Sequence, residues 1–412
     1  MDRCMKILVA NLGSTSFKYR LFNLTDQPGV GGKRELARGG VERIGAASSR
    51  VYATLGDEKF DSIQNVPDHA AALEAALGQL SSERGPLQAI EEVAAIGFKA
   101  VHGGRVTGVV RVSSEVLEAM EEVSAIAPAH NPPYVRAMRL IQEKFPTIPL
   151  IAAFETGFHQ TIPDRNALYA VPWEWVEKYG VRRWGFHGAS HQFVAQRLES
   201  LVSARPLRAI SCHLGGSSSV CWLHDGKSVG CSLGMSPQSG LPHNNRVGDF
   251  DAFSLVQVAR ATGRTFDELF AELGTKGGLA GLSGTSGDMR DLEAAVLAGN
   301  DRAHIAIDVF VSSIRHWIGA GMVELGGLDA IAFTGGIGEN SFRIREQVCQ
   351  GLDSLGIRMD LAANASNTSE ISERNIAERR GSVSLWIVPT NEELVVARQA
   401  FDLLISEGRK GV

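Results

Sequence analysis

The sequence has few cysteines, and their arrangement matches no metal site or disulfide framework. There are five of them, an odd number, and none belongs to a Cys-x-x-Cys pair. Structural zinc sites and disulfide-stabilised small folds both rely on paired cysteines at short spacing. We therefore expect neither feature, and this cysteine usage fits a reducing, cytoplasmic location.

Long apolar runs and blocks of like charge are also missing. No stretch approaches the roughly 18 apolar residues that a membrane-spanning helix needs. The apolar run near the start is interrupted at Asn11, so we expect no signal peptide. The net charge is −5 and lysine and arginine are not clustered. These absences predict a globular protein with neither a nucleic acid nor a membrane as its partner.

Glycine, by contrast, is abundant, with 45 residues. Two turns rich in glycine and serine, at residues 11–16 and 213–218, each follow an apolar strand pattern and lead into a second strand. Such a turn directs several backbone N–H groups and hydroxyls toward one point, which suits phosphate oxygens. A single Gly-rich hairpin is common and carries little weight, but two at matching positions indicate two related phosphate-binding turns.

A second similarity pairs residues 94–104 with residues 329–340, since each is an apolar strand that runs into two glycines. A chain of 412 residues also exceeds the roughly 250–300 residues at which a single core stops growing. We therefore predict two similar α/β halves. The glycines of 335–340 would let the backbone approach a flat nucleotide or would merely begin a helix, and both interpretations stay open.

Two motif-like segments need separate treatment. Gly226-Lys227-Ser228 lacks the earlier glycine of a P-loop, because Cys221 stands at that spacing, so we interpret it as a hairpin. His187 and His191 have the i, i+4 spacing of two metal ligands on a helix, but no third ligand follows at a recognisable spacing.

Helical periodicity is clearest at residues 301–322, where apolar residues recur with a spacing typical of core packing. Residues 112–125, 134–144 and 392–406 also predict helices, the last beginning with two acidic residues. We predict a loop at 127–133 because of its prolines.

Nine segments together resemble the acetate kinase family and occur in that family's order over nearly the whole chain. They are residues 11–18, 100–104, 127–133, 154–163, 179–191 (YGVRRWGFHGASH), 213–219, 283–290, 333–341 (FTGGIGENS) and 388–398 (containing PTNEE). The resemblance implies two actin-like (RNase H-like) α/β domains with a cleft between them. We expect the domains at residues 1–155 and 156–391, with a helix at 392–412 packing back on the first.

The same resemblance implies a homodimeric kinase that uses ATP and magnesium or manganese to phosphorylate a short-chain carboxylate, acetate first and propionate next. The implied catalytic residues are Glu155, His187, Arg246 and His130, with Lys99 binding the acid substrate and Asn11 and Glu392 binding the metal. The implied ATP-binding residues are Lys18, His213, Leu214, Gly215, Gly216, Ser217, Asp288, Met289, Arg290, Gly335, Gly336, Ile337, Gly338 and Glu339.

Three positions depart from the family pattern: Lys99 replaces arginine, Glu155 replaces aspartate and Gly216 replaces asparagine. The loop 237–246 also differs, since the family has threonine before Arg246. Lysine keeps the charge of arginine but not its bidentate geometry. Because the first two exchanges preserve charge, we expect a re-tuned acid pocket, with propionate or another short acid favoured. Its wall residues would include Val101, Pro237 and Leu241.

Two other functions remain open from the sequence. A kinase of the same superfamily that acts on a hydroxyl would need a general base, and Glu155 could serve. A nucleotide-binding pseudokinase is the alternative that the departures from the pattern suggest. The retained Asn11, His187, Arg246 and Glu392 favour the carboxylate kinase.

Overall fold

A computed structural model describes residues 4–13, 15–25, 33–128, 130–366 and 372–410. Ser14, which belongs to the first predicted turn, lies outside the described residues. The chain forms two compact units. The first comprises the residues up to Gly157 together with those from Asn391 onward, and the second comprises Phe158–Thr390.

Both units combine strands with helices. The strands are β1 (Cys4–Leu12), β2 (Ser16–Thr25), β3 (Lys33–Glu42), β4 (Ser49–Leu55), β5 (Glu58–Gln64), β6 (Val93–Ala100), β7 (Val109–Arg111), β8 (Leu150–Phe154), β9 (Arg208–His213), β10 (Ser219–His224), β11 (Lys227–Cys231), β12 (Ala330–Thr334), β13 (Arg374–Asn375) and β14 (Ser384–Ile387). The helices are α1 (His69–Leu80), α2 (Ser114–Glu122), α3 (Asn131–Lys144), α4 (Asp164–Ala167), α5 (Trp173–Tyr179), α6 (Gly188–Leu201), α7 (Ser254–Thr262), α8 (Phe266–Thr275), α9 (Gly278–Ser283), α10 (Met289–Leu297), α11 (Asp301–Glu324), α12 (Gly335–Asn340), α13 (Phe342–Cys349), α14 (Leu361–Ala365) and α15 (Glu392–Lys410).

The first unit is built on an eight-stranded sheet with the order β5-β4-β3-β2-β1-β6-β8-β7. The central strand β1 is buried on both faces, as a near-continuous apolar strand should be. Leu8 and Ala10 pack in a core that includes residues of α1 and α3. On β6, a Cβ added at Gly97 would lie 3.1 Å from Val396 of α15. The glycine therefore lets α15 pack closely on the sheet.

The second unit repeats this plan in a six-stranded sheet with the order β11-β10-β9-β12-β14-β13. In each unit a central strand pairs antiparallel with the strand that follows it and parallel with a later strand: β1 with β2 and β6, and β9 with β10 and β12. The two pairs of similar segments in the sequence correspond to these strands. The strands predicted at 5–23 and 207–230 are confirmed.

The long helix is also confirmed: α11 spans Asp301–Glu324, and the predicted apolar residues along it are buried. The predicted loop at 127–133 is wrong for its last three residues, because α3 begins at Asn131. Pro132 and Pro133 occupy its first turn, where backbone N–H groups have no intrahelical acceptor and proline is tolerated. Among the described residues, no helix has both the length and the apolar composition needed to cross a membrane.

Candidate functional site

One lysine and two carboxylates form the polar centre of the first unit. Lys99 lies near the end of β6, Glu155 directly follows the parallel neighbour β8, and Glu392 begins α15. The Lys99 Nζ atom lies 2.5 Å from Glu392 Oε2 and 3.9 Å from Glu155 Oε1. The backbone N–H of Glu155 donates to the carbonyl of Ala100 at 2.8 Å, which holds the two strand ends side by side.

Burial and neighbouring charge act in opposite directions on Lys99. Burial alone would lower the pKa of its ammonium group, but the nearby carboxylates of Glu392 and Glu155 raise the pKa above the ordinary lysine value. Lys99 is therefore charged at every physiological pH. Beside two carboxylates, the positive charge of Lys99 attracts a small anion only when another group neutralises the negative charge of those carboxylates.

Asn11 joins this cluster through Tyr134 of α3. The Tyr134 hydroxyl donates to Asn11 Oδ1 at 3.1 Å and accepts from the backbone N–H of Leu12 at 3.2 Å. Burial raises the pKa of Tyr134, and the charges of Lys99, Glu155 and Glu392 also act on it. Tyr134 thus interacts with four of the predicted site residues of this unit, Asn11, Lys99, Glu155 and Glu392. No motif marks it, and its position in a predicted helix suggests only core packing.

The donor set of this cluster fits a hard divalent cation. Asn11, Glu155 and Glu392 offer amide and carboxylate oxygens, which magnesium prefers to nitrogen or sulfur. Among the described residues, no group of three or more His, Cys, Asp or Glu side chains is arranged to hold a metal by itself.

Two further predicted residues of the first unit lie close by in the fold. Lys18 of β2 is directly opposite Asn11 of β1 in the antiparallel pair, so both side chains point to the same face of the sheet. His130 immediately precedes α3, and its carbonyl accepts from the backbone N–H of Tyr134 at 3.2 Å.

The second unit gathers four histidines. His187 stacks on His213 with ring centroids 4.2 Å apart, and His191 lies within 6.4 Å of both rings. His159 follows at 5.8 Å from His191. His187 precedes α6 with φ +57°, a left-handed conformation that is unusual for a residue with a side chain. That backbone turn brings His187 back over the end of β9.

Serine hydroxyls hold these histidines. Ser219 Oγ lies 2.8 Å from both His187 Nδ1 and His191 Nε2. Ser211 Oγ lies 2.9 Å from His191 Nδ1. Burial lowers the pKa of His191 far below the ordinary value, and His159 and His213 lower it further. Since both ring nitrogens of His191 are engaged with serines, the metal-binding interpretation of His187 and His191 receives no support from this geometry.

Arg246 lies in the loop that follows β11. Its Nη1 donates to the carbonyl of Pro237 at 2.6 Å. Burial lowers the pKa of its guanidinium to about 10, so Arg246 is still charged at neutral pH. His243 ties this loop to the Gly/Ser turn, because the backbone N–H of Ser218 donates to His243 Nδ1 at 3.0 Å. No pattern in the sequence singles out His243.

A cavity of about 590 Å³ in the second unit brings together many of the predicted ATP-binding residues. Seven of them line it: Gly215, Gly216, Asp288, Met289, Arg290, Gly336 and Ile337. Asn244, Glu293, Asn340 and Ser341 complete the lining, and sequence reasoning missed these four. The cavity therefore joins four segments of the chain, at 215–216, 244, 288–293 and 336–341, and two of them present glycine backbone to it.

Four of the remaining predicted ATP-binding residues of this unit, Leu214, Gly335, Gly338 and Glu339, make hydrogen bonds within the segments that line the cavity. The carbonyl of Leu214 accepts from the backbone N–H groups of Ile337 and Gly338, at 2.8 and 3.1 Å. Glu339 Oε1 accepts from the backbone N–H of Gly335 at 2.9 Å. Gly335, Gly338, Leu214, Glu339, His213 and Ser217 are not among the residues that line the cavity.

Known proteins resemble this chain over nearly its whole length. The model of the acetokinase family matches residues 6–398. A protein named acetate kinase from Shouchella clausii (strain KSM-K16) is 39% identical over 402 residues, covering 97% of this chain and 99% of the relative. The acetate kinase of Bacillus subtilis (strain 168) is 38% identical over 401 residues, covering 97% and 99%.

Two crystal structures match in three dimensions. The acetate kinase of Porphyromonas gingivalis has a TM-score of 0.85 at 35% identity, with 97% of this chain and 100% of that chain covered. A propionate kinase from Francisella tularensis subsp. tularensis SCHU S4 has a TM-score of 0.85 at 30% identity, with 96% and 98% covered. These matches confirm the predicted α/β fold class.

Proposed function

The chain belongs to the acetokinase family, and from this premise we propose that it phosphorylates the carboxylate of a short-chain acid with ATP. The chain is a kinase. Acetate is the first expected acceptor and propionate the second, since similar proteins carry those two names. The observation that carries the proposal is the family match along residues 6–398.

The reaction is a direct transfer in both directions. A carboxylate oxygen attacks the terminal phosphorus of ATP, the bond from that phosphorus to the bridging oxygen breaks, and ADP leaves with the electron pair. No proton needs to be removed, because the acid is already ionised at pH 7. The barrier lies in bringing two anions together and in stabilising the charge that spreads over the transferred group.

We assign the charge-stabilising roles to cationic and donor side chains. Arg246 contacts the phosphoryl group in flight, and its retained charge at neutral pH supports this role. His187, with His130, stabilises the same transition state. Lys99 orients the acid, and Glu155 is the catalytic carboxylate that sets the position of the Lys99 ammonium.

Magnesium, or manganese in its place, belongs to the proposal. When bound with the nucleotide, the ion neutralises phosphate charge and so makes the terminal phosphorus more electrophilic. Asn11 and Glu392 would hold it, and the oxygen donors beside Tyr134 support this assignment. Lys18, on the same face of the sheet as Asn11, would contact the nucleotide phosphates.

We assign the nucleotide to the 590 Å³ cavity of the second unit and to the thirteen predicted ATP-binding residues other than Lys18, seven of which line that cavity. The support is the convergence of three predicted segments on one cavity. We further propose domains at 1–155 with the C-terminal helix and 156–391, and a cytoplasmic homodimer. Light scattering after size-exclusion chromatography tests the dimer, because a monomer would have a mass near 44.2 kDa.

A hydroxamate trap tests the reaction. The protein is incubated with ATP, magnesium and one of acetate, propionate or butyrate, and hydroxylamine converts any acyl phosphate into a coloured hydroxamate. We expect signal with at least one acid, and ADP release in equal amount. ADP release without hydroxamate would mean that the phosphoryl group goes to water and not to the acid, which contradicts the proposed reaction. The absence of both would favour a pseudokinase or a kinase that needs a hydroxyl acceptor, and ADP release on adding a sugar or polyol would distinguish these two. A strict preference for acetate would contradict the re-tuned pocket.

A further inference from the structure

Gly216 and Asn244 are neighbours in the wall of the nucleotide cavity. A Cβ added at Gly216 would lie 3.3 Å from Asn244 Nδ2 and 3.6 Å from Asn244 Cγ. The amide of Asn244 therefore fills the space into which a side chain at position 216 would extend. Both residues line the cavity.

The backbone fixes Asn244 in that place. Its N–H donates to the carbonyl of Gly216 at 3.1 Å, and its carbonyl accepts from the N–H of Ala280 at 2.8 Å. A Cβ added at Gly287 would lie 2.3 Å from the Asn244 carbonyl oxygen, so that glycine is needed for the close approach. The backbone of Asn244 is thus attached directly to the Gly/Ser turn.

The amide oxygen of Asn244 is not satisfied by the protein. This Oδ1 atom is buried without a hydrogen-bond partner. The same residue lines the nucleotide cavity. An amide at a cavity wall with no protein partner costs free energy unless a ligand or water completes its hydrogen bonds.

We propose that Asn244 is a nucleotide-binding residue whose amide donates a hydrogen bond to a phosphate oxygen of ADP or ATP. It supplies from the neighbouring loop the amide that the family resemblance implies at position 216. This inference rests on the proposed nucleotide site and deepens it. It also explains why glycine stands at 216, because an asparagine there would compete with Asn244 for one space.

Calorimetric titration of the full chain with Mg·ADP and with adenosine tests this role. Asn244→Ala should weaken ADP binding about tenfold, the effect of losing a hydrogen bond to a charged group, and should leave adenosine binding unchanged. Asn245→Ala is the matched control, since Asn245 is the adjacent, exposed asparagine, and it should change neither affinity by more than about twofold.

A swap variant makes the test specific. Gly216→Asn alone should weaken ADP binding, because two amides compete, whereas Gly216→Asn combined with Asn244→Gly should recover most of the lost affinity. Unchanged ADP binding in Asn244→Ala would overturn the inference, as would equal losses for ADP and adenosine. A wild-type protein that binds ADP but yields no hydroxamate would refute the proposed reaction and leave this inference standing.

Discussion

The ammonium nitrogen of Lys99 lies 2.5 Å from Oε2 of Glu392, a residue 293 positions further along the chain. This ion pair joins a central strand of the first unit to the C-terminal helix α15. The pair is largely buried, with side-chain exposures of 24% and 14%. Lys99 also neutralises Glu155, so one cation stabilises two carboxylates that the proposed function assigns to metal binding and catalysis.

Lys99→Met should destabilise the protein by about 3 kcal/mol at pH 7, because it leaves two carboxylates without their cation. The folded pKa of Lys99 is raised, so its contribution is fully present below the ordinary lysine pKa and is lost only as pH rises through the folded value. Urea unfolding measures the loss, and added magnesium should stabilise the variant more than the wild type.

The matched control is Lys144→Met, which breaks the ion pair of Lys144 with Glu74 on the surface. Exposed pairs are worth less than about 1 kcal/mol. Equal losses in the two variants would contradict the special position of Lys99.

Arg246→Ala should lower kcat by about 10³-fold or more while changing ADP affinity little, because the charge acts on the group in transfer. Steady-state kinetics and calorimetry measure the two effects separately. Arg264→Ala removes another arginine of the same unit that pairs with Glu272 on the surface, and it should leave kcat unchanged. If kcat and ADP affinity fell by the same factor, the transition-state role would be refuted.

Ser219→Ala should reduce kcat between about tenfold and a hundredfold, the cost of misplacing a catalytic group. A hydroxyl has a single proton, so Ser219 couples the tautomers of His187 and His191. Ser211→Ala removes a hydroxyl that contacts His191 alone of these two. Ser211→Ala should destabilise the protein by a similar amount but should lower kcat much less than Ser219→Ala does. Equal kcat losses would show that Ser219 does not act through His187.

Acid should destabilise the protein partly through His159, whose two ring nitrogens contact Ser228 and the Phe186 carbonyl. Burial lowers its pKa to about 4. The unfolded state therefore binds more protons, and the free energy of unfolding falls as pH drops from about 6.5 toward 4, by up to about 1.4 kcal/mol per pH unit for this group. His159→Gln should reduce that slope in urea unfolding experiments. If the free energy of unfolding changed with pH by the same amount in the variant and the wild type, this role of His159 would be refuted.

Gly335→Ala should destabilise the protein by about 1–2 kcal/mol or more, because position 335 has φ +76° and an added Cβ would lie 2.7 Å from the Leu214 carbonyl oxygen. The adjacent Gly336→Ala is the control, since an added Cβ there meets nothing within 4 Å. Thermal unfolding should separate the two variants by several degrees. Equal melting temperatures would contradict the close packing of the two glycine turns.

Patterns that are local in the chain predicted the elements that carry the site. The apolar strand patterns around the two Gly/Ser turns gave β1, β2, β9 and β10, and the spacing of apolar residues gave α11. These patterns succeed because strand and helix periodicity follow from backbone geometry alone. The prediction of a loop at 127–133 was wrong in part, because proline breaks the interior of a helix but not its first turn.

Sequence alone determined the family, the two repeated α/β halves and the residue types that phosphoryl transfer needs. Only the tertiary structure decided which polar groups meet. Tyr134 reaches Asn11 across 123 positions of the chain, and Asn244 fills the space beside Gly216. No short pattern encodes such contacts, because they depend on how distant segments pack and on which donors and acceptors that packing leaves without a partner.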